Sequence, residues 1–164
     1  MTARRATPAD AQTLAALAAR TFPLACPPHT PPDAMAEHIA TQLSPARFRE
    51  HMAAGAEFYL IGDEAYLMLA FDRPPIDTDW QRPLEVKRIY VDAHAHGSGL
   101  AGQLMEVALE RARQGGHDWL WLGTNKENQR AIRFYEKCGF RIVGERTFFV
   151  AETPESDYVL AVAI

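Results

Sequence analysis

Hydrophobic and polar residues along this chain recur with two periods, which predict strands and helices in alternation. Two apolar runs, Glu57 to Gly62 and Ala65 to Phe71, predict a β-hairpin because only Asp63 and Glu64 separate them. Leu84 to Val91 alternates apolar and polar residues, which predicts a strand with one buried face. The remaining predicted strands are Arg4 to Thr7, Asp118 to Gly123, Arg141 to Val150 and Tyr158 to Ile164.

The stretches between these strands carry helical spacing or proline. Thr7 is a predicted N-cap, because Pro8 and an acid at Asp10 follow it. Five prolines between Phe22 and Pro32 predict a shaped loop without regular helix. Further helices are predicted from about Asp33 to Gln42, from the Ser44-Pro45 cap to near Gly55, from Leu100 to Gly115-Gly116, and from an Asn125 cap to Gly139.

Together these elements follow the order β-α-α-α-β-β-β-α-β-α-β-β. This order predicts an α/β (α+β) fold in which a mixed central β-sheet of about seven strands is flanked by helices. A chain of 164 residues is long enough to bury one hydrophobic core of ordinary size. Residues 1–164 are therefore predicted to form a single domain.

Composition narrows the classes of function. A net charge of −4 and a pI near 5.8 lack the basic excess that is typical of nucleic-acid-binding proteins. No apolar run reaches the roughly 18 residues of a membrane span, and the N-terminus lacks the apolar core of a signal peptide. Cys26 and Cys138 are too few for a disulfide framework. We therefore expect a cytoplasmic protein that binds neither nucleic acid nor a membrane.

A glycine-rich turn between a predicted strand and a predicted helix carries the main functional clue. Its residues are His96-Gly97-Ser98-Gly99-Leu100-Ala101-Gly102, and the following helix directs its positive end to the same place, which favours a phosphate ligand. A dinucleotide-binding fold would have this turn after the first strand, with an acid about 20 residues later. A nucleoside-triphosphate loop would have Lys and then Ser or Thr where this chain has Gln103-Leu104. Neither alternative fits the chain.

Three ordered motifs resemble those of the GNAT superfamily of acyl-CoA-dependent N-acyltransferases. They are the predicted central strand Leu84 to Val91, the turn from His96 to Ala101, and the run Asn128-x-x-Ala131-x-x-Phe134-Tyr135-Glu136-Lys137-x-Gly139-Phe140. These motifs cover about a third of the chain, and the predicted order of elements fits the family over the whole length. His96 departs from the family pattern, which usually has Arg or Gln there.

A narrower resemblance exists within this superfamily. Trp121-Leu122-Gly123-x-x-x-Glu127-Asn128 resembles bacterial spermidine/spermine N-acetyltransferases of the PaiA type. The tail from Thr147-Phe148-Phe149 to Asp157-Tyr158 resembles the same proteins, although Ala151 stands where they often carry Gly.

The superfamily resemblance implies acetyl transfer from acetyl-CoA to a primary amine by direct attack in a ternary complex. It implies that the backbone of Ile89, Tyr90 and Val91 meets the pantetheine arm and the developing oxyanion. The implied pyrophosphate site consists of His96, Gly97, Ser98, Gly99, Leu100, Ala101 and Gly102. Asn128 is expected to bind the pantetheine and Ala131 belongs to the same cofactor motif, although a helix cap is an alternative role for Asn128.

A basic excess follows Asn128, in the segment where the resemblance places the adenosine phosphates. Arg133 and Lys137 are the candidate contacts. A solvated helix face explains these two residues equally well.

Two side chains are candidates for moving protons. An alkyl amine with a pKa near 10 is neutral in about one molecule per thousand at pH 7, so a base or a water chain must take its proton. Glu85 is the candidate base, and the alternative roles are a solvent-facing carboxylate or an ion pair with Lys87. The resemblance places Tyr135 beside the cofactor sulfur, where its phenol would protonate the leaving thiolate; the alternative is core packing.

The acceptor is the least defined partner. We expect a small-molecule amine or a polyamine, and the acids available to recognise a polycation include Glu37, Glu50, Asp72 and Asp157. Acetylation of a protein N-terminus or lysine is an alternative, as is a non-catalytic module that binds acyl-CoA as a signal. No metal is predicted, because His94-x-His96 has no third ligand nearby in sequence, and Cys138 is predicted to be a packed residue. A monomer or homodimer is expected.

Overall fold

Residues 2–164, which the computed structural model describes, form a mixed seven-stranded sheet flanked by five helices. The strands are β1 (Arg4–Arg5), β2 (Glu57–Ile61), β3 (Ala65–Ala70), β4 (Pro83–Val91), β5 (Trp119–Asn125), β6 (Arg141–Val150) and β7 (Thr153–Ala163). The helices are α1 (Ala11–Ala25), α2 (Pro32–Gln42), α3 (Pro45–Ala53), α4 (Leu100–Gln114) and α5 (Gln129–Lys137). The predicted fold class and order of elements are confirmed.

The sheet has the strand order β1-β2-β3-β4-β5-β7-β6. β4 and β5 are parallel, because α4 carries the chain back across the sheet between them, and the other five pairs are antiparallel. The sheet therefore consists of two antiparallel halves that meet at β4 and β5.

Helices cover both faces of the sheet. α1, α2 and α3 pack on one face over a cluster that includes Phe48, Phe58 and Tyr66. α4 and α5 pack on the other face, where Leu104 and Leu120 belong to the core. Because both faces are covered, Pro83 to Val86 are all buried, so the prediction of one buried face for β4 is wrong at its beginning.

Two predicted boundaries are wrong for local reasons. α1 continues through Phe22 to Ala25 and contains Pro23, although the prolines predicted a loop from Phe22. Phe22 and Thr21 are buried, and the Thr21 hydroxyl donates to the Leu17 carbonyl at 2.8 Å, so packing holds the last turn despite the missing proline N–H. β7 begins at Thr153 instead of Tyr158, because residues 153–157 pair with β6.

The C-terminal end of α5 follows the predicted cap. Gly139 adopts a left-handed conformation with φ +97°, and the Phe140 N–H donates to the Tyr135 carbonyl at 3.1 Å. Phe140 is buried and its ring lies 6.1 Å from that of Tyr135. This cap therefore fixes the end of α5 that carries Tyr135.

No helix within residues 2–164 is long and apolar enough to cross a membrane.

Candidate active site

β4 and β5 separate after a short parallel pairing, and the gap between them opens a cavity. Pro83, Leu84 and Glu85 pair with Trp119, Leu120 and Trp121, and no pairing is recorded between the later residues of the two strands. Residues 86–91 and 122–125 line a cavity of about 700 Å³. Its volume lies within the range of small-molecule sites, and ligands of mixed sheets commonly bind beyond the carboxyl ends of parallel strands.

A β-bulge in β4 decides which side chains face each layer. Met68 pairs with Arg88 and Leu69 pairs with Val86, so Lys87 is the extra residue. After the bulge the alternation changes phase. Leu84, Val86, Ile89 and Val91 join the cluster under α4 and α5. Arg88 instead lies over the Phe48 ring of α3, on the face that Glu85 shares by alternation.

Backbone groups of β4 face the cavity at alternate residues. The Asp92 N–H donates to the Glu64 carbonyl at 2.7 Å, which identifies this pair as hydrogen-bonded. Because bonded and unbonded pairs alternate between antiparallel strands, Tyr90 bonds to β3 while Ile89 and Val91 direct their N–H and C=O groups away from it. The resemblance expected Ile89 and Val91 to offer backbone groups there.

The glycine-rich turn connects the end of β4 to α4. Gly97 and Gly99 have φ values of +82° and +86°, a conformation that favours glycine. The first intrahelical bond runs from the Gln103 N–H to the Gly99 carbonyl at 3.1 Å, so the N–H groups of Leu100, Ala101 and Gly102 precede the helical bonding pattern. A Cβ placed at Gly97, Gly99 or Gly102 would meet no atom within 4 Å, which leaves this side open to a phosphate.

His96 connects this turn to β4 and α5. Its Nδ1 accepts from the Arg130 guanidinium at 3.1 Å, so its Nε2 carries the proton and donates to the Val91 carbonyl at 2.8 Å. Arg130 also lines the cavity. Arg133 and Lys137 are exposed on α5 and do not line it. The two predicted contacts of the adenosine phosphates therefore lie outside the cavity wall. Ser98 also lies outside the cavity lining, and its hydroxyl donates to the Ala95 carbonyl.

Asn128 begins α5 and lines the cavity together with Ala131. Its side-chain oxygen accepts from the Ala131 N–H at 3.3 Å. The predicted cap, Asn125, accepts instead from the Glu127 N–H at 2.9 Å and lies before the helix, so that prediction is wrong. Since the cap of Asn128 uses only the oxygen, the side-chain NH₂ group remains available to a ligand.

Tyr135 projects from α5 into the cavity wall. It is buried, and its ring makes edge-to-face contacts with Phe134 and Phe140. Burial, with a smaller contribution from Tyr90, raises the pKa of the Tyr135 phenol. The phenol therefore keeps its proton at neutral pH and can donate it.

Glu85 lies on β4 where the two strands begin to separate. Its side chain is buried, and burial raises its pKa to about 7 although Lys87 and Arg146 oppose the rise. The Arg146 guanidinium is 3.8 Å from the carboxylate, while Lys87 pairs with Asp72 at 3.7 Å. The two alternative roles, a solvent-facing carboxylate and an ion pair with Lys87, are therefore wrong.

Charged residues from β6 and β7 complete this end of the cavity, namely Arg146, Glu155 and Asp157, of which only Asp157 was a predicted contact of the acceptor. Asp157 accepts from the Arg146 Nε–H at 3.1 Å, and burial raises its pKa. Glu155 accepts from the Thr30 hydroxyl at 2.8 Å. Of the four acids proposed for a polycation, Asp157 lines the cavity, whereas Glu37, Glu50 and Asp72 do not.

The bulge in β4 had a signal in the sequence, because the alternation of apolar and polar residues changes phase between Val86 and Ile89.

The connection from α1 to α2 crosses one end of the cavity. Cys26 and Pro27 line it, Thr30 reaches Glu155 on β7, and the His29 ring lies 2.6 Å from Glu127 beyond β5. Burial raises the pKa of the Cys26 thiol to about 11, so this thiol stays protonated at neutral pH. This connection limits the space for an extended acceptor.

Two further predictions concerned a metal site at His94-x-His96 and the packing of Cys138, and His94 and His96 do not come together in the structure. His94 lies near Glu64 and Asp92, whereas His96 bonds to Val91 and Arg130. Within residues 2–164, no three His, Cys, Asp or Glu side chains are arranged to hold a metal ion. Cys138 is half-buried at the end of α5, and burial raises the pKa of its thiol.

Comparison with known proteins relates this geometry to one family. The model of the acetyltransferase (GNAT) family matches residues 18–140. The chain is 40% identical over 151 residues to an uncharacterized N-acetyltransferase of Mycobacterium bovis, and the match covers 92% of this chain and 96% of that protein.

Solved structures share the fold at low sequence identity. The PaiA N-acetyltransferase from Thermoplasma acidophilum, in complex with coenzyme A, is 15% identical with a TM-score of 0.76 and covers 99% of this chain and 98% of its own. The ribosomal-protein-alanine N-acetyltransferase from Brucella melitensis is 20% identical with a TM-score of 0.71, and the match covers 100% of this chain and 100% of that protein.

Proposed function

Because this chain belongs to the acetyltransferase (GNAT) family and is an N-acetyltransferase with acetyl-CoA as its donor, we propose that it acetylates a primary amine of a small molecule. The observation that carries this proposal is one cavity bordered by the glycine-rich turn, by Tyr135 and by the buried carboxyl of Glu85. Transfer proceeds by direct attack in a ternary complex. No acyl-enzyme is needed, and the raised pKa values of Cys26 and Cys138 suit neither thiol to be a nucleophile.

In this proposal the glycine-rich turn and Arg130 hold the donor's pyrophosphate. The N–H groups of Leu100, Ala101 and Gly102 and the positive end of α4 suit two negative phosphates. The backbone of Ile89, Tyr90 and Val91 and the side chain of Asn128 border the path from this turn to Glu85 and are assigned to the pantetheine arm.

Glu85 is assigned as the general base. A base with a pKa of about 7 is ionised in half of the molecules at neutral pH and can take a proton from an amine that attacks the thioester. The amine nitrogen bonds to the carbonyl carbon, the carbon–sulfur bond breaks, and the surplus amine proton goes to Glu85.

Tyr135 is assigned as the general acid. The departing thiolate gains its proton from the phenol, whose raised pKa keeps it protonated beforehand. Proton exchange with solvent then restores both side chains.

The connection between α1 and α2 favours a small acceptor over a protein. Its contacts with Glu155 and Glu127 cross the end of the cavity that a peptide segment would occupy. Family membership and the related N-acetyltransferases support turnover instead of passive acyl-CoA sensing.

The test is a measurement of acetyl-CoA consumption with separate panels of amino acids, polyamines, aminoglycosides and short peptides. We expect turnover with at least one small amine and weaker turnover with peptides. Turnover with peptides alone would overturn the small-acceptor proposal.

The proposed setting of this activity is the cytoplasm, with residues 1–164 as a single domain that acts as a monomer or homodimer. The free thiols of Cys26 and Cys138 suit a reducing compartment, and one sheet spans the chain from β1 to β7.

A further inference from the structure

One end of the cavity holds basic side chains with unpartnered nitrogens. Within residues 2–164, four buried side-chain atoms have no hydrogen-bond partner, namely the Tyr66 hydroxyl, which lies outside the cavity, and the three basic nitrogens Arg88 Nη1, His51 Nε2 and Arg47 Nε. All three residues line the cavity, and they are called the basic cluster below. Buried polar nitrogens are almost always paired in folded proteins, so three of them at one cavity wall suit a ligand that supplies hydrogen-bond acceptors.

Arg88 lies at the centre of this cluster. Its guanidinium is 5.4 Å from the Phe48 ring centroid, and no carboxylate among the described residues lies within ion-pair distance of it. Burial together with the charge of Arg88 lowers the pKa of His38 and of His51 to about 4 each. Arg88 is therefore a cation without an ion-pair partner beside two neutral histidines, whereas the Arg47 guanidinium pairs with Glu50 at 2.7 Å.

The acids of the same end are already engaged. Asp157 accepts from Arg146, Glu155 accepts from Thr30, and the Glu85 carboxyl is 3.8 Å from Arg146. A polyamine needs several carboxylates with unbalanced negative charge. The three carboxyls that line this cavity, Glu85, Glu155 and Asp157, each already have a side-chain partner, and burial raises the pKa of Glu85 and of Asp157.

Glu85 and Arg88 are spaced for a small molecule that carries two charges. The bulge at Lys87 puts both on the same face of β4, and it shortens their separation to about two residue steps, or about 7 Å of strand. An amine near Glu85 would therefore have its neighbouring substituents within reach of the Arg88 guanidinium.

We propose that the acceptor is an aminocarboxylate whose amine meets Glu85 and whose carboxylate binds the basic cluster of Arg47, His51 and Arg88. This inference rests on the proposed function, because it names the acceptor of the same acetyl transfer. The carboxylate takes no part in the bond changes. It accepts hydrogen bonds from Arg88 and His51 and fixes the amine beside the base.

Matched pairs of acceptors test this proposal. Ornithine with putrescine and alanine with ethylamine differ within each pair only by the α-carboxylate. We expect kcat/KM for the carboxylate member to be about 10- to 100-fold higher, as charge-assisted hydrogen bonds to a guanidinium imply. Higher kcat/KM for the decarboxylated members would overturn the proposal.

Arg88→Met tests the cluster itself, with Arg49→Met as the matched control because Arg49 is exposed on α3 outside the cavity. We expect Arg88→Met to raise KM for the aminocarboxylate about 30-fold relative to KM for the decarboxylated amine and to leave the melting temperature undiminished. Arg88→Lys should recover part of the loss. An equal loss for both members of a pair would indicate a structural role and would overturn the proposal.

A binding measurement separates this inference from the proposed function. If no small amine is acetylated, the proposed function fails, and glutarate, which has no amine, is titrated into the protein in the presence of coenzyme A. A shift of the His51 NMR signal, assigned with His51→Gln and absent in Arg88→Met, would support the carboxylate site. No shift in the wild-type protein would overturn it.

Discussion

The two ends of the cavity, which the proposed function assigns to the donor and to the acceptor, are built from different parts of the chain. The donor end, around Gly97 to Gly102, presents consecutive backbone N–H groups and the start of a helix. The acceptor end combines side chains from strands and helices that are distant in sequence, such as Glu85, His51 and Asp157. Backbone recognition depends on local conformation, which a few neighbouring residues fix, whereas side-chain recognition depends on how separate segments pack. Variants at the two ends should therefore change different quantities.

The largest effect is expected at the acceptor end. Glu85→Gln should lower kcat about 10³-fold, because the amine loses its base, while the KM for acetyl-CoA stays the same. In the wild-type protein kcat should rise with pH through about 7, since only the ionised carboxyl accepts a proton, and the variant should lose this rise. Initial rates at saturating acetyl-CoA measure both. Glu37→Gln removes an exposed carboxylate away from the cavity and serves as the control.

A kcat for Glu85→Gln within about threefold of the wild-type value would contradict this assignment. In that case a water chain would remove the proton, which is the alternative kind of general-base route.

Tyr135 stands between the two ends and should give the next largest effect. Tyr135→Phe keeps the ring contacts with Phe134 and Phe140 but removes the proton donor, so kcat should fall about 10²-fold with acetyl-CoA affinity unchanged. Tyr158→Phe, outside the cavity lining, is the matched control. Unchanged turnover of Tyr135→Phe when chemistry limits the rate would remove the assigned role.

At the donor end, Gly99→Ala should act on acetyl-CoA binding. A Cβ at φ +86° strains the backbone by about 1–2 kcal/mol, and relaxation of the turn moves the N–H groups, so affinity should fall about 10-fold. Gly55→Ala strains a residue of similar φ, +105°, outside the cavity. Calorimetry and thermal unfolding should show similar losses of stability for both variants but weaker acetyl-CoA binding only for Gly99→Ala. Equal affinities would contradict the role of the turn.

The smallest effect is expected from the cation that flanks the turn. Arg130→Met should weaken acetyl-CoA binding about threefold, more at low salt, because a partly exposed charge is screened by ions. Arg133→Met removes the same charge from an exposed position on the same helix and should leave binding unchanged. If Arg133→Met had the larger effect, the prediction from sequence would be correct and the assignment of Arg130 wrong.

The donor end was largely predictable because its determinants are contiguous. Gly97 and Gly99 have the positive φ values that a glycine-rich turn predicts, and α4 begins directly after them. The Gly139 cap and Phe140 follow from the same kind of local rule. Arg133 and Lys137 stay predicted contacts of the adenosine phosphates, and their place outside the cavity wall was not predictable because helical spacing does not give the rotation of α5 relative to the sheet.

At the acceptor end, the sequence predicted single residues but not the side chains that surround them. Glu85 was selected, but its alternative roles depended on burial, and the Arg146 that approaches it comes from β6, about sixty positions later. Arg88 faces α3 because one bulge at Lys87 changes the phase of the strand. Only the pairing with β3 decides which way the phase changes.

The sequence by itself determined the order of elements, the glycine-rich turn and the motifs that identify the family and its donor. These features depend on glycine conformations, caps and hydrophobic periods, which neighbouring residues control. The tertiary structure alone decided that Glu85 is buried beside Arg146, that Arg88 has no acid partner and that β4 and β5 separate to form the cavity. Burial and charge balance are sums over residues from distant segments, so the chemistry of the acceptor site exists only once the sheet and its helices have packed.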